Sequence, residues 1–273
     1  MGKKLGSVLL GLVFVGGIAL VSYPAVSNWV NQRFSSSAIG NYREQVEELS
    51  DGEIEERREA ARAYNATLTN DRDYIAYGDE GESRIDILDV GEIIGYIEIP
   101  KIDVSLPIYE GTSEEVLQKG VGHLRNTSLP VGGKGSHVAL SAHRGLASAK
   151  LFTDLDELEE GDLFYLYVLD ETLAYEVDQI LVTEPLITHE LDIDKEEDYV
   201  TLITCTPYGI NSHRLLVRGK RVPYAEKTAD QLDQVYQLKP EINWYFVVCT
   251  LSCMAEAGLV GVFIRWMIRR RRF

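Results

Sequence analysis

The sequence predicts a mainly β domain, a barrel or sandwich, preceded by a helical extension and carrying a membrane-length apolar segment at each end. Three observations carry this. Between residues 91 and 223 short apolar runs alternate with turn residues, the texture of closely spaced short strands. Residues 41–65 are dense in Glu and Arg and hold few helix breakers, the texture of a solvated helix or helix pair. Both ends of the 273-residue chain are apolar and flanked by Lys or Arg.

The terminal segments come first. Residues 5–26 contain no charged residue and follow Lys3 and Lys4; residues 244–268 are mostly apolar and precede Arg269, Arg270, Arg271 and Arg272. A spanning helix needs about 20 apolar residues, and basic flanks stay on the cytoplasmic side. Both termini therefore read as cytoplasmic, with the segment between them outside the cell membrane. The first segment also has the basic start, apolar core and small residues of a signal peptide. An uncleaved anchor is preferred, because the apolar stretch exceeds the ~7–15 residues of a signal core. In the second segment Arg265 can snorkel to the inner face, whereas Glu256 near mid-span must be protonated, paired with the other helix, or a sign against a simple span.

The expected domains are a membrane anchor over 1–27, a juxtamembrane helical and lid-like extension over 28–90, a β domain over 91–223, a linker helix over 224–243, and a membrane helix with a basic tail over 244–273. Within the extension, 28–38 reads as a polar, serine-rich link, and Ser50 or Asp51 caps a second helix. The polar stretch 68–89, with Gly78 and Gly81, reads as a loop. Strands are predicted over 93–99, 104–109, 137–142, 163–169, 172–182, 200–205 and 214–222. Ser113 caps a helix over 114–119, a helical turn falls within 147–155, and a short helix covers 230–238.

The two ends hold seven of the 27 basic residues and one of the 43 acidic ones, so the outer part carries 42 acids against 20 bases. Nucleic-acid binding, which needs a basic face, is excluded. Such a surface suits a solvated exterior or a partner with basic groups, such as a lysine-bearing protein. Cys249 and Cys253 lie four apart in the second apolar segment, where they read as packing residues. Cys205 is then alone in the exported part, and an unpaired cysteine there is a candidate reactive thiol.

The stretch TLITCTPYGINSHR, residues 201–214, reads as a strand, a tight connection and an antiparallel strand. Cys205 and Arg214 then face each other at one hairpin end. A thiol attacks as its thiolate, which neighbouring cations favour, and a guanidinium can also donate to the oxyanion of a tetrahedral intermediate. His143 ends the run HVALSAH and is the preferred partner for the thiol; His123, His137, His189 and His213 compete with it. None of the five histidines forms an HxxxH pair, so metal hydrolysis is a poor reading.

These residues resemble the active-site segment of sortases, membrane-bound cysteine transpeptidases. GYIEIPKIDVSLPIYEGTSEEVLQKGVGHL (95–124), TSLPVGG (127–133), SAHRGLASAKLFTDLDELEEGD (141–162) and LAYEVDQI (173–180) are similar to the pilus-assembling branch, class C, with a weaker echo in AYNATL (63–68). The resemblance implies a closed eight-stranded β-barrel with short helices. It assigns Cys205 as nucleophile, His143 as catalytic histidine and Arg214 as the third residue. It also implies cleavage of a Leu-Pro-X-Thr-Gly-like sorting signal between Thr and Gly, and joining of pilin subunits through a lysine amine. Housekeeping attachment of surface proteins to a cell-wall precursor is the alternative within enzymes, and a membrane-tethered binding barrel the alternative outside them. No metal or organic cofactor is needed for these steps. Class C members usually carry an Asp-Pro-aromatic lid; NDRDYIAYGDEGE (70–82) has no proline. Asp73 and Tyr74 are the residues that can stand in, a lidless linker being the other reading.

Overall fold

The computed structural model describes residues 2–70, 86–185 and 189–224. Helix α1 (Gly2–Glu48) is continuous, and by length and composition it can cross a membrane. The polar stretch 28–38, expected to be a link, is helix instead, so the 27/28 boundary falls inside one element. Two causes are visible. Ser36 satisfies its hydroxyl within the helix by donating to the Gln32 carbonyl at 2.9 Å. Ser35, Ile39, Tyr42 and Val46, spaced as one helical face, are buried, and tertiary packing of one face stabilises helices more than propensity does. Tyr42 ties this face to the β domain, accepting from the Leu169 N–H at 2.7 Å and donating to the Ile94 carbonyl at 3.3 Å.

Helix α2 (Asp51–Thr67) begins with a capping box: the Glu53 N–H donates to Ser50 Oγ, and the Ser50 N–H to the Glu53 carboxylate. The Ser50 hydroxyl, donating to the Glu53 carboxylate at 2.7 Å, and the Ser50 N–H together hold that carboxyl below its ordinary value. At the far end Asn65 docks the helix, its Nδ2 donating to the Leu129 carbonyl at 3.0 Å and its Oδ1 accepting from the Leu129 N–H at 2.7 Å.

Eight strands follow: β1 (Gly95–Ile99), β2 (Val104–Glu110), β3 (Val121–His123), β4 (Ser136–Ser141), β5 (Leu163–Val168), β6 (Glu171–Thr183), β7 (Asp198–Thr206) and β8 (His213–Val222). They close into a barrel in the order β1-β2-β3-β4-β7-β8-β6-β5. Among the described residues β2–β3 and β4–β7 are parallel and the other pairs antiparallel. Helix α3 (Glu114–Lys119), capped by Ser113, bridges β2 and β3. Seven strands match the runs read from sequence to within two residues at each end. The eighth, β3, has only three residues, too few for periodicity to register. Where a helical turn was expected within 147–155, the chain makes turns and then a 3₁₀ turn over Leu155–Glu157.

Inside the barrel Ile97, Ile99, Ile108, Val138, Leu140, Val200, Leu202 and Val217 are buried. Phe164 and Tyr175 stack at 5.6 Å against Gly219, where a Cβ would come within 2.4 Å of the Phe164 ring; only glycine permits that approach. The expected helix over 230–238, the second apolar segment over 244–273, and the lid candidates Asp73 and Tyr74 lie outside the described residues.

Candidate active site

Strand β4 runs parallel to β7 with Ser141 opposite Ile203. The pairing continues past the strand end: the Ala142 N–H donates to the Ile203 carbonyl at 3.1 Å, and Thr204 Oγ1 donates to the Ala142 carbonyl at 2.8 Å. Carried two residues past Ser141, the same register would bring His143 level with Cys205. On the other side of β7 the antiparallel ladder pairs Cys205 with Arg214. Cys205 and Arg214 are thus cross-strand partners, and on the β4–β7 register His143, two residues past the end of β4, would stand beside them in a row about 10 Å wide at the usual ~4.8 Å strand spacing.

The chain on either side of this row is tightly held. After Cys205 the β7–β8 connection turns back on Pro207, whose carbonyl accepts from the Ile210 and Asn211 N–H groups; Gly209 and Asn211 take left-handed backbone, which favours those residue types. Arg214 Nη1 donates to the Asn211 and His213 carbonyls at 3.4 and 3.2 Å. After His143 the loop folds over itself. The Phe152 N–H donates to the His143 carbonyl at 3.2 Å, and the Gly145 N–H to Thr153 Oγ1 at 3.2 Å. The two loops meet: Arg144 donates to Thr206 Oγ1 at 3.3 Å, pairs with Asp156, and lies 6.0 Å from the Tyr208 ring centre. At Gly145, also left-handed, a Cβ would sit 2.9 Å from that same ring.

The side chains of the three residues are half-buried, and His143 Nε2 and Arg214 Nε are themselves shielded from solvent. Cys205 is a free thiol, half-buried, and the His143 side chain is 28% exposed. His143 Nε2 makes no hydrogen bond among the described residues; the Glu114 carboxylate stands 3.5 Å from it.

The four competing histidines sit elsewhere in the hydrogen-bond network. His123 is fully buried, with Nδ1 2.9 Å from Glu110 and Nε2 2.9 Å from the Ser128 carbonyl. His137 is buried between the Asp192 carbonyl and Thr201 Oγ1. His189 is exposed beside Asp192. His213 pairs with Thr206 and contacts Ser212 Oγ, exposed to solvent. Sequence reasoning missed Glu114 and Arg144 as members of this site. Glu114 was read only as the start of a helix, and its approach to His143 depends on how α3 packs. Arg144 adjoins His143 in the sequence, a signal that was available.

A family model for the sortase domain matches residues 97–222. A crystal structure of a sortase C from Streptococcus pneumoniae is 51% identical, covering 69% of this chain and 97% of that one with a TM-score of 0.63. The chain belongs to the sortase family. A pilus-related sortase C of Group B Streptococcus is 43% identical over 68% of this chain and 97% of its own, TM-score 0.62. These neighbours place the chain with the class C sortases. Among curated proteins, sortase D of Bacillus subtilis (strain 168) is 33% identical over 137 residues, 49% of this chain and 66% of that protein. The sortase A of Bacillus anthracis is matched over 62% of its length, so the chain spans less than two thirds of these curated relatives.

Proposed function

We propose that this sortase is a membrane-anchored cysteine transpeptidase that joins pilin subunits. The row of His143, Cys205 and Arg214 at one barrel mouth carries the reading. The Cys205 thiolate attacks the threonine carbonyl of a Leu-Pro-X-Thr-Gly-like signal. Arg214 donates to the oxyanion, and His143 protonates the departing glycine amine, leaving a thioester on Cys205. A lysine amine of the next subunit then resolves the thioester. The pilus-related sortase C neighbour supports pilin as the substrate class.

Helix α1 holds the barrel at the membrane, with 91–223 outside the cell and the second anchor over 244–273. Trp29, exposed and covered by the Arg33 guanidinium at 5.3 Å, has the amphipathic character of a residue at the lipid–water boundary.

The test is to incubate the full chain, in detergent or in membranes, with a sorting-signal peptide and a pilin. Mass spectrometry should find the peptide acyl group on Cys205, and gels should show ladders of covalent multimers. Cys205→Ala should abolish both. Thioester formation with single attachments to a cell-wall precursor and no ladder would favour the housekeeping reaction. Partner binding that persists unchanged in Cys205→Ala, with no acyl adduct in either protein, would leave a binding barrel.

A further inference from the structure

The transpeptidase reading, on which this inference rests, leaves the incoming amine without a seat. We propose that Glu114 is that seat: a carboxylate at the barrel mouth that binds the ε-ammonium of the acceptor lysine and delivers it to His143. Glu114 Oε2 lies 3.5 Å from His143 Nε2, and the Glu114 side chain is 69% exposed. It therefore faces the general base on one side and open solvent, the direction from which an acceptor arrives, on the other. Its second oxygen accepts from Gln118 Nε2 at 2.9 Å, which fixes the side chain.

The support beneath Glu114 is rigid, as a binding group requires. Ser113 Oγ caps α3 through the Val116 N–H. The preceding corner turns on Gly111 with φ 81°, and its carbonyl sits so close to Gly122 that a Cβ there would approach to 2.4 Å. Below the corner lies the fully buried pair of Glu110 and His123, 2.9 Å apart. This pair, remote from solvent, performs no step in the proposed reaction; it anchors the end of β2, from which the chain turns into α3 and Glu114.

The protons balance. After the first half-reaction His143 is neutral, having given its proton to the glycine amine. A lysine ammonium held by Glu114 passes one proton to His143 Nε2, and the amine attacks the thioester carbonyl. The C–N bond forms, the C–S bond breaks, Cys205 leaves as thiolate beside the now protonated His143, and the second amine proton goes to water. Glu114 stays ionised throughout.

The experiment compares two nucleophiles on the full chain with saturating sorting-signal peptide: Nα-acetyl-lysine amide, cationic at neutral pH, and hydroxylamine, uncharged there. Whatever Glu114→Gln does to both in common reports on His143; the ratio of kcat/KM for lysine over hydroxylamine reports on the ammonium. We expect that ratio to fall about two- to fivefold in Glu114→Gln, the loss carried by the KM for lysine, in line with a solvent-exposed ion pair. It should fall further in Glu114→Lys and be largely retained in Glu114→Asp, which also controls for folding. An unchanged ratio in Glu114→Gln and Glu114→Lys overturns the proposal. Absence of any acyl adduct on Cys205 of the unmodified chain overturns the transpeptidase reading itself, and the acceptor seat with it.

Discussion

Strands β4 and β7 run side by side through the barrel, and their two ends carry opposite kinds of polar chemistry. At their start Ser136 lies opposite Asp198. The Asp198 carboxylate is buried and accepts from the Gly133 N–H at 2.8 Å, Ser136 Oγ at 3.1 Å and the Tyr175 hydroxyl at 3.1 Å. At the other end, roughly 20 Å away at ~3.3 Å per residue, His143 and Cys205 are partly exposed, and His143 Nε2 makes no hydrogen bond among the described residues. Buried polar groups are normally satisfied, and the closed end obeys that rule. The mouth departs from it, as reactive groups must if they are to bond to a substrate instead of to the protein. One end of the same two strands maintains the fold, and the other keeps its chemistry available.

If that division is correct, substitutions at the two ends should separate activity from stability. The largest effect is expected at the mouth. Arg214→Ala removes the proposed oxyanion donor and should lower kcat for sorting-signal cleavage by about 10²–10³-fold. Arg214 lies at the half-buried start of β8 and donates to the adjacent loop carbonyls of Asn211 and His213, so the melting temperature should fall by far less than the activity. A large drop in melting temperature would break the comparison, because Arg214 would then be a structural residue. At the closed end Asp198→Ala takes the acceptor from the Tyr175 hydroxyl and the Gly133 N–H, while Ser136 keeps the Gly133 carbonyl. The expected cost is about 3 kcal/mol of stability, seen in thermal unfolding, with kcat of the folded fraction retained.

The two ends also differ in how far the sequence exposed them. The mouth was legible because a lone thiol, a strand-end histidine and a strand-opening arginine are rare residue types at marked positions. The antiparallel ladder pairing Cys205 with Arg214 follows from a hairpin of short connection, which sequence pattern reads well. The parallel pairing of β4 with β7 does not, since its partners lie 62 residues apart in the chain, as Ser141 and Ile203 do, and only the family resemblance supplied it. The closed end was invisible. Asp198 and Ser136 are ordinary polar residues in sequence, and their burial depends on Tyr175 arriving from β6. Likewise 28–38 looked like a link because its Ser and Asn residues have low helix propensity; the packing of Ser35, Ile39, Tyr42 and Val46 overrides that preference.

A smaller substitution sharpens the closed end. Ser136 Oγ bridges Asp198 and the Gly133 carbonyl at 3.1 and 2.6 Å, closing the turn that enters β4. Ser136→Ala should cost about 1 kcal/mol, clearly less than Asp198→Ala, because Asp198 keeps two of its three donors. Equal losses from the two variants would mean that the turn, and not the carboxylate, organises this end.

The smallest expected effect is a pH dependence, and its sign distinguishes two descriptions of Asp198. Burial raises its carboxyl above the ordinary value, outweighing the Gly133 N–H, the Arg221 charge and the Ser136 and Tyr175 hydroxyls, which pull it down. In the unfolded chain the same carboxyl titrates at about 3.9. Between those two values the folded protein holds a proton that the unfolded chain has released. The associated stability is complete below the unfolded value and fades as pH rises through the folded one. Asp198→Asn is isosteric and does not titrate, so the stability difference between the unmodified protein and this variant should shift toward the unmodified protein as pH is lowered from 7 to 4. Thermal unfolding of both proteins across that range reads the difference directly. A shift in the opposite direction would mean that Arg221 and the three donors hold the carboxylate ionised in the folded state. The closed end would then be an ion-pair lock, and the contrast with the mouth would lie in solvent access alone.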